Sequence, residues 1–274
     1  MEAAEYVRMA QVQDRHWWFE AKRRTVAALL ARHPVGAGVT AGRGRVLEVG
    51  PGTGSMIDVM TPYGRVVAAD AYRPALQLLV EHRPAAADLA PVAADLTRLP
   101  FAAESFALVG CFDVLYHQQV ADVGSALREL HRVCAPGSHL AVTDSAFPLL
   151  RSSHDVATHA ARRFRLRDLT APMRAAGFTI EHASYFHTLL FPAALALRLG
   201  KRMLHGAPRL DGVAPAGAVS PHSDLAPVAG WLNATLLGLY RIETPLAVRV
   251  RLPFGSSLLI LARRPPARAD RRLQ

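Results

Sequence analysis

The segment VLEVGPGTGS, residues 46–55, decides the fold. An apolar, β-prone run ends at Glu48, and Gly50, Gly52 and Gly54 then alternate through a turn into a second apolar run. Glycine lets backbone N–H groups approach a ligand closely, and the start of a helix offers unpaired donors. Two phosphate-binding readings fail on the residues. A dinucleotide fingerprint needs a third glycine where Ser55 stands, and a nucleotide-triphosphate loop needs a Gly-Lys-Ser/Thr ending that is absent. What is left is acidic-x-Gly-x-Gly-x-Gly.

Working outward, β-rich runs alternate with helical ones. Arg45–Val49 is followed by a helix through Met60, and Arg65–Ala69 by a helix after Pro74. Val92–Ala94 and Phe106–Phe112 read as the third and fourth strands. Val123, Leu127, Leu130 and Val133 share one face of a helix over Asp122–Cys134, which Pro136-Gly137 ends before a fifth strand at His139–Thr143. Strands separated by such helices imply right-handed βαβ units and a parallel sheet. The first thirty residues lack Pro and Gly and read as one or two helices, joined to the sheet by the link VGAGVTAGRG, residues 35–44. After residue 150 come a helix at Leu166–Ala176, a strand at Phe178–Phe186, an apolar stretch at Thr188–Leu204 and a Gly/Pro/Ala-rich loop at Gly206–Ala226. A helix at Val228–Tyr240, a strand at Ser256–Ala262 and the tail RRPPARADRRLQ close the chain.

The glycine string resembles motif I of the class I S-adenosylmethionine-dependent methyltransferases. Three later signals follow in the family's order: RVVAAD ending at Asp70, PVAADLTRLPF with Asp95 and Leu96, and FALVGCFDVLYH with Phe112 and Asp113. The resemblance extends to DRHWWFEAKRR near the N-terminus and to LRSSHDVATHAARRFRLRDL after the fifth strand, as in a bacterial subgroup with an N-terminal His-Trp-Trp-Phe element. It implies a Rossmann-like, doubly wound α/β fold with a mostly parallel seven-stranded sheet, N-terminal helices and a helical C-terminal cap. It divides the chain into a lid (1–40), a cofactor-binding core (41–150) and a substrate or cap region (151–274). S-adenosyl-L-methionine is the implied cofactor. Glu48, Gly50, Gly52, Thr53 and Gly54 would wrap its amino-acid and ribose portions, and Asp70 with Ala71 would meet the ribose hydroxyls. Asp95 and Leu96 would read the adenine, Tyr72 would cover one adenine face, and Phe112 and Trp17 would line the space toward the acceptor. One departure matters: an apolar-Pro-Ala-aromatic run is replaced here by Asp144-Ser145-Ala146-Phe147, so the substrate is not inherited.

Methyl transfer needs alignment, exclusion of water and, for a hydroxyl acceptor, a base. His154 and His159 are the candidates. On a helix Asp155 would share a face with His159 and orient it, and a salt-bridged or capping cluster is the competing reading. His117, beside Tyr116, is a further candidate. Arg162 and Arg163 would either meet an acidic substrate or form a solvated basic face. His187 reads as a polar residue packed on an apolar face, and His222 carries no signal. The histidines lack spaced carboxylate partners, so no metal site is expected.

The chain has 274 residues, is 51% hydrophobic and carries a formal charge of +10. That charge is uneven. The first 150 residues hold 14 basic and 15 acidic side chains, and the excess lies beyond them, almost all of it arginine. It points to an acidic or lipophilic acceptor, a membrane surface or arginine-rich codon usage, and no nucleic-acid-binding motif accompanies it. The two cysteines exclude a disulfide scaffold, and neither a signal-peptide pattern nor a membrane-spanning apolar run is present, so a cytoplasmic location is expected. The function expected is methylation of a small organic acceptor in specialised metabolism. A lipid- or sugar-linked acceptor at a membrane surface is the alternative, followed by a nucleic-acid methyltransferase or a non-catalytic binding protein. A homodimer stays open.

Overall fold

The computed structural model describes residues 3–35, 44–83, 89–205 and 228–266. Most of the link at 35–44, the loop at 206–226 with His222, and the tail beyond residue 266 lie outside them. Two helices, α1 (Ala3–Val12) and α2 (Trp17–Ala31), precede the sheet. β1 (Arg45–Val49), a short α3 (Ile57–Met60), β2 (Arg65–Asp70), α4 (Arg73–His82) and β3 (Leu89–Ala93) form the first half. β4 (Phe106–Phe112), α5 (Val123–Val133), β5 (Cys134–Ser145), α6 (Ser153–Ala157) and α7 (Leu166–Ala175) follow. β6 (Thr179–Phe186), α8 (Phe191–His205), α9 (Gly230–Ala247) and β7 (Ser257–Arg263) complete the fold.

The seven strands run in the order β3-β2-β1-β4-β5-β7-β6. β7 is antiparallel to both of its neighbours, and the other pairings are parallel. The order reverses between β1 and β4, and a crevice beyond the C-terminal ends of these strands is where such sheets bind ligands. β4 is buried at every position, as a continuous apolar run requires when helices cover both faces. β3 lies at the edge, which is why Pro91 is tolerated within it.

One face of the sheet packs Leu127, Leu130, Leu169 and Met173 against Val109, Val142 and Ile260. The other packs Leu29, Leu30, Met60 and Leu79 against Val46, Leu108 and Leu259. Several boundaries differ from the sequence reading. The third strand starts earlier, at Leu89, because its register is set by pairing with β2 rather than by its own weak pattern. The fifth strand begins at Cys134 and runs through Pro136-Gly137, where Gly137 takes φ +81°. The late helix extends to Ala247, since α2 supplies a packing partner for its second half, with Thr25 and Thr244 hydroxyls 3.1 Å apart.

α8 is tied down at its start. The buried Glu243 of α9 accepts hydrogen bonds from the Thr188 and Leu189 amides, both at 2.9 Å. Glu243→Ala leaves two amides without their acceptor and is expected to cost about 1–3 kcal/mol of unfolding free energy, measurable by urea denaturation.

Candidate active site

A cavity of about 1140 Å³ opens beyond the C-terminal ends of β1 and β4. The three glycines of the turn serve it differently. Gly50 and Gly52 line the cavity at φ +63° and +55°, where L side chains are strained, and a Cβ on Gly50 would meet Val114 Cγ2 at 2.4 Å. Gly54, at φ +86°, is a packing glycine, because its Cβ would lie 2.2 Å from Leu79 Cδ1. Thr53 is fully buried. Its hydroxyl donates to Gln13 Oε1 at 2.7 Å, and Gln13 Nε2 donates to the Thr53 carbonyl at 3.0 Å. This pair clamps the glycine turn to the segment between α1 and α2. Thr53 and Gly54, expected beside the cofactor, are not among the cavity-lining residues.

Acidic groups gather at the glycine end. Glu48, Asp70 and Asp95 all line the cavity, as do Ala71, Tyr72 and Leu96. Asp70 is held by the Gly52 amide at 3.3 Å and the Tyr72 amide at 2.8 Å, while burial raises its pKa. Asp95 accepts from both the amide and the hydroxyl of Thr97, at 2.7 and 2.8 Å. Glu48 is the outlier. Its Oε2 is buried without a hydrogen-bond partner, and burial pushes its pKa up to about 8 despite Lys22 and Arg83 nearby. Such an atom is costly to leave unpaired and suits a cationic donor.

The N-terminal helices form the roof. Tyr6 stacks on Tyr72 with ring centroids 5.0 Å apart, and Met9, Trp17 and Trp18 also line the cavity. His16 caps α2 by accepting from the Trp18 amide, and Trp17 stacks on Tyr240 of α9. Lys22 reaches down from α2 to Asp113 Oδ2 at 2.7 Å and sits 4.4 Å from the centroid of Trp18. Asp113 follows β4 and Phe112 at φ +59°, an uncommon conformation for a non-glycine residue. Lys22 drew no attention in the sequence. The signal available was its rarity, as one of two lysines among 32 basic residues.

The expected catalytic cluster comes apart. α6 ends at Ala157 and His159 takes φ +53°, so Asp155 and His159 do not share a helix face. Asp155 instead forms a buried bidentate pair with Arg163, at 2.6 and 3.0 Å, and closes a capping box with Ser152. Against the upward push of burial, Arg163 and the Ser152 amide hold Asp155 below the ordinary carboxylate range. Arg163 is thus tied to Asp155 while still lining the cavity. Neither Asp155 nor His159 is among the cavity-lining residues, whereas His154, His117 and Tyr116 are.

Burial keeps two of these neutral. Burial lowers the His117 pKa to about 4, and its Nδ1 accepts from the Gln119 amide, which leaves the proton on Nε2. Burial, Asp113 and Asp144 raise the Tyr116 pKa, so its hydroxyl keeps its proton. The Asp144 that replaces the expected apolar residue is fully buried beneath the site and accepts from the Tyr116 and Ser145 amides at 3.2 and 2.7 Å. Burial and Asp113 hold it well above the usual carboxylate range. His187, read as a packed polar residue, proves to be a cavity residue. It lies at φ +59°, hydrogen-bonded to Tyr240 and stacked on Trp18, and burial lowers its pKa to about 3. No group of His, Cys, Asp and Glu among the described residues could hold a metal ion.

Two outcomes test this description. Arg163→Ala leaves Asp155 as a buried unpaired charge and should cost about 3–5 kcal/mol in denaturant unfolding. Between pH 4.5 and about 8 native Glu48 holds a proton that the unfolded chain has released, so its contribution to stability falls as pH rises. Glu48→Gln should remove that slope from the stability–pH curve.

Residues 47–142 match the family model described as a methyltransferase domain. A search of curated protein sequences finds no match. Among solved structures, the chain is similar to a protein provisionally assigned as a methyltransferase in complex with the Haloferax volcanii Trm112 methyltransferase activator. The TM-score is 0.60 at 18% identity, covering 97% of this chain and 96% of that one. Geranyl diphosphate C-methyltransferase from Streptomyces coelicolor A3(2), solved with Mg2+, geranyl-S-thiolodiphosphate and S-adenosyl-L-homocysteine, has a TM-score of 0.55 at 14% identity, with 87% and 74% coverage. The [4+2]-cyclase SpnF has a TM-score of 0.53 at 17% identity, with 89% and 81% coverage. At these identities the structural likenesses establish the fold, and the family match at residues 47–142 adds the domain's identity. With the glycine turn and its acidic cavity, they identify residues 47–142 as a methyltransferase domain on the fold of the class I S-adenosylmethionine-dependent methyltransferases.

Proposed function

We propose that this enzyme methylates a small organic acceptor in specialised metabolism. The observation that carries the reading is one continuous cavity. It has an acidic end at the glycine turn and an aromatic roof, with the walls of its other end drawn from residues beyond β4. In this reading residues 1–40 act as the lid, 41–150 hold the cofactor and 151–274 shape the acceptor site. The unpaired carboxyl oxygen of Glu48 would accept from the cofactor's ammonium group, and Asp70, fixed by two amides, would receive the ribose hydroxyls. Asp95 and Leu96 would meet the adenine, and Tyr72 would cover its face. The cofactor supplies an electrophilic methyl group on a sulfonium, which an acceptor lone pair attacks in line as the carbon–sulfur bond breaks.

The chain's own task is then to orient the acceptor and exclude water. Trp17 and Trp18 exclude water from above, and the Lys22–Asp113 pair fixes the helix that carries them. Where the acceptor is a hydroxyl, His154 is the base this reading assigns, because it reaches the cavity while His159 does not. Tyr116 and His117 act as neutral hydrogen-bonding groups.

Calorimetry with S-adenosylhomocysteine tests the cofactor site. The wild-type chain should bind it, and Asp70→Ala should weaken binding at least about tenfold, one ion-dipole contact's worth. A wild-type chain that binds neither the cofactor nor its demethylated product would overturn the reading. With methyl-labelled cofactor and a panel of hydroxyl acceptors, His154→Ala should lower turnover by a factor of about 10²–10⁴ while His159→Ala stays near wild type.

A further inference from the structure

We infer that the outer face of α8 and α9 docks on an anionic lipid surface, from which an amphiphilic acceptor enters the cavity. The docking stands on the structure alone, whereas the class of acceptor rests on the proposed methyl transfer.

The first observation is exposed apolar surface. Met203 of α8 is 88% exposed and Leu197 is 60% exposed, while on α9 Trp231 is 73%, Ile242 64% and Leu246 46% exposed. Trp231, Ile242 and Leu246 are spaced so that they fall on one stripe of α9, roughly 22 Å long at 1.5 Å per residue. Phe254, 39% exposed, extends the patch next to the start of α8, where its ring packs on Phe191. Exposed apolar side chains grouped along a helix stripe mark a contact surface.

Charge selects the occupant. From Thr188 to His205 the sequence has three basic residues and no acidic one. Arg241, Arg249 and Arg251 are exposed beside the α9 stripe, and the one acid of α9, Glu243, is buried against the start of α8. A second copy packed on this face would bring arginines together without a facing carboxylate from these elements. Anionic headgroups supply the missing charge and acyl chains accept the apolar side chains, the pairing used by interfacial helices. No helix among the described residues is long and apolar enough to cross a membrane, so this face lies on the surface rather than spanning it.

Continuity with the cavity gives the surface its purpose. Ala194 and Leu197 of α8 line the cavity together with Leu190 just before it, and Leu197 is at the same time largely exposed. The wall of the acceptor site and the outer face therefore meet on one helix. A molecule with an apolar chain could pass between them without crossing water.

Vesicle sedimentation of the full chain tests this directly. It should pellet with vesicles containing one third phosphatidylglycerol in phosphatidylcholine, at least tenfold more than with phosphatidylcholine alone, and less as salt is raised. Trp231→Glu with Ile242→Glu, both at exposed positions, should abolish the difference while leaving calorimetric binding of S-adenosylhomocysteine unchanged. Equal sedimentation with both vesicle types, or a double variant that still pellets, would overturn the inference. So would a dimer in light scattering that the same variants dissociate, which would assign the face to self-association. Loss of S-adenosylhomocysteine binding by the wild-type chain, with vesicle binding intact, would instead remove the methyltransferase reading and leave the docking standing.

Discussion

The Lys22–Asp113 ion pair is the contact on which the upper half of the molecule depends. Both groups are largely buried and 2.7 Å apart, and each would be expensive to bury alone. Together they join α2 to the end of β4, beside the glycine turn that follows the neighbouring β1. Once α2 is placed, Trp17 and Trp18 become the roof, and α9 finds the surface it packs on through Thr25 and Thr244. α9 in turn presents Glu243, which holds the start of α8. One buried charge pair thus sets the position of the roof, and through it that of α9 and the start of α8.

Beneath this roof the polar groups are arranged by protonation as much as by position. Glu48 and Asp144 lie where burial favours the neutral acid, while His117 and His187 are kept neutral by the same loss of water. The formal charge of +10 has a separate origin. It lies beyond residue 150, and α8 carries three basic residues and no acidic one alongside exposed apolar side chains.

The first half of the sheet was legible because its signals are local. Glycine is required where φ is positive at Gly50, Gly52 and Gly54, and strands betray themselves by continuous apolar runs such as Phe106–Phe112. The region after β5 was less so. Asp155 and His159 stand at helical spacing in the sequence, yet a left-handed turn at His159 and the pull of Arg163 on Asp155 separate them. His187 and Tyr240 are 53 residues apart and meet only because α9 folds back over β6. No periodicity within either segment reports that contact.

The sequence by itself determined the order of the strands in the chain, the glycine turn and the acids that follow it, because each is a short-range demand of backbone geometry or burial. Only the tertiary structure decided which side chains share the cavity. It placed Lys22 on Asp113, put His187 against Trp18, removed Thr53 to a clamp with Gln13, and gave Asp155 to Arg163. The physical reason is that a buried polar group takes whichever partner the packing of distant elements brings within reach, and that choice leaves no trace in local spacing.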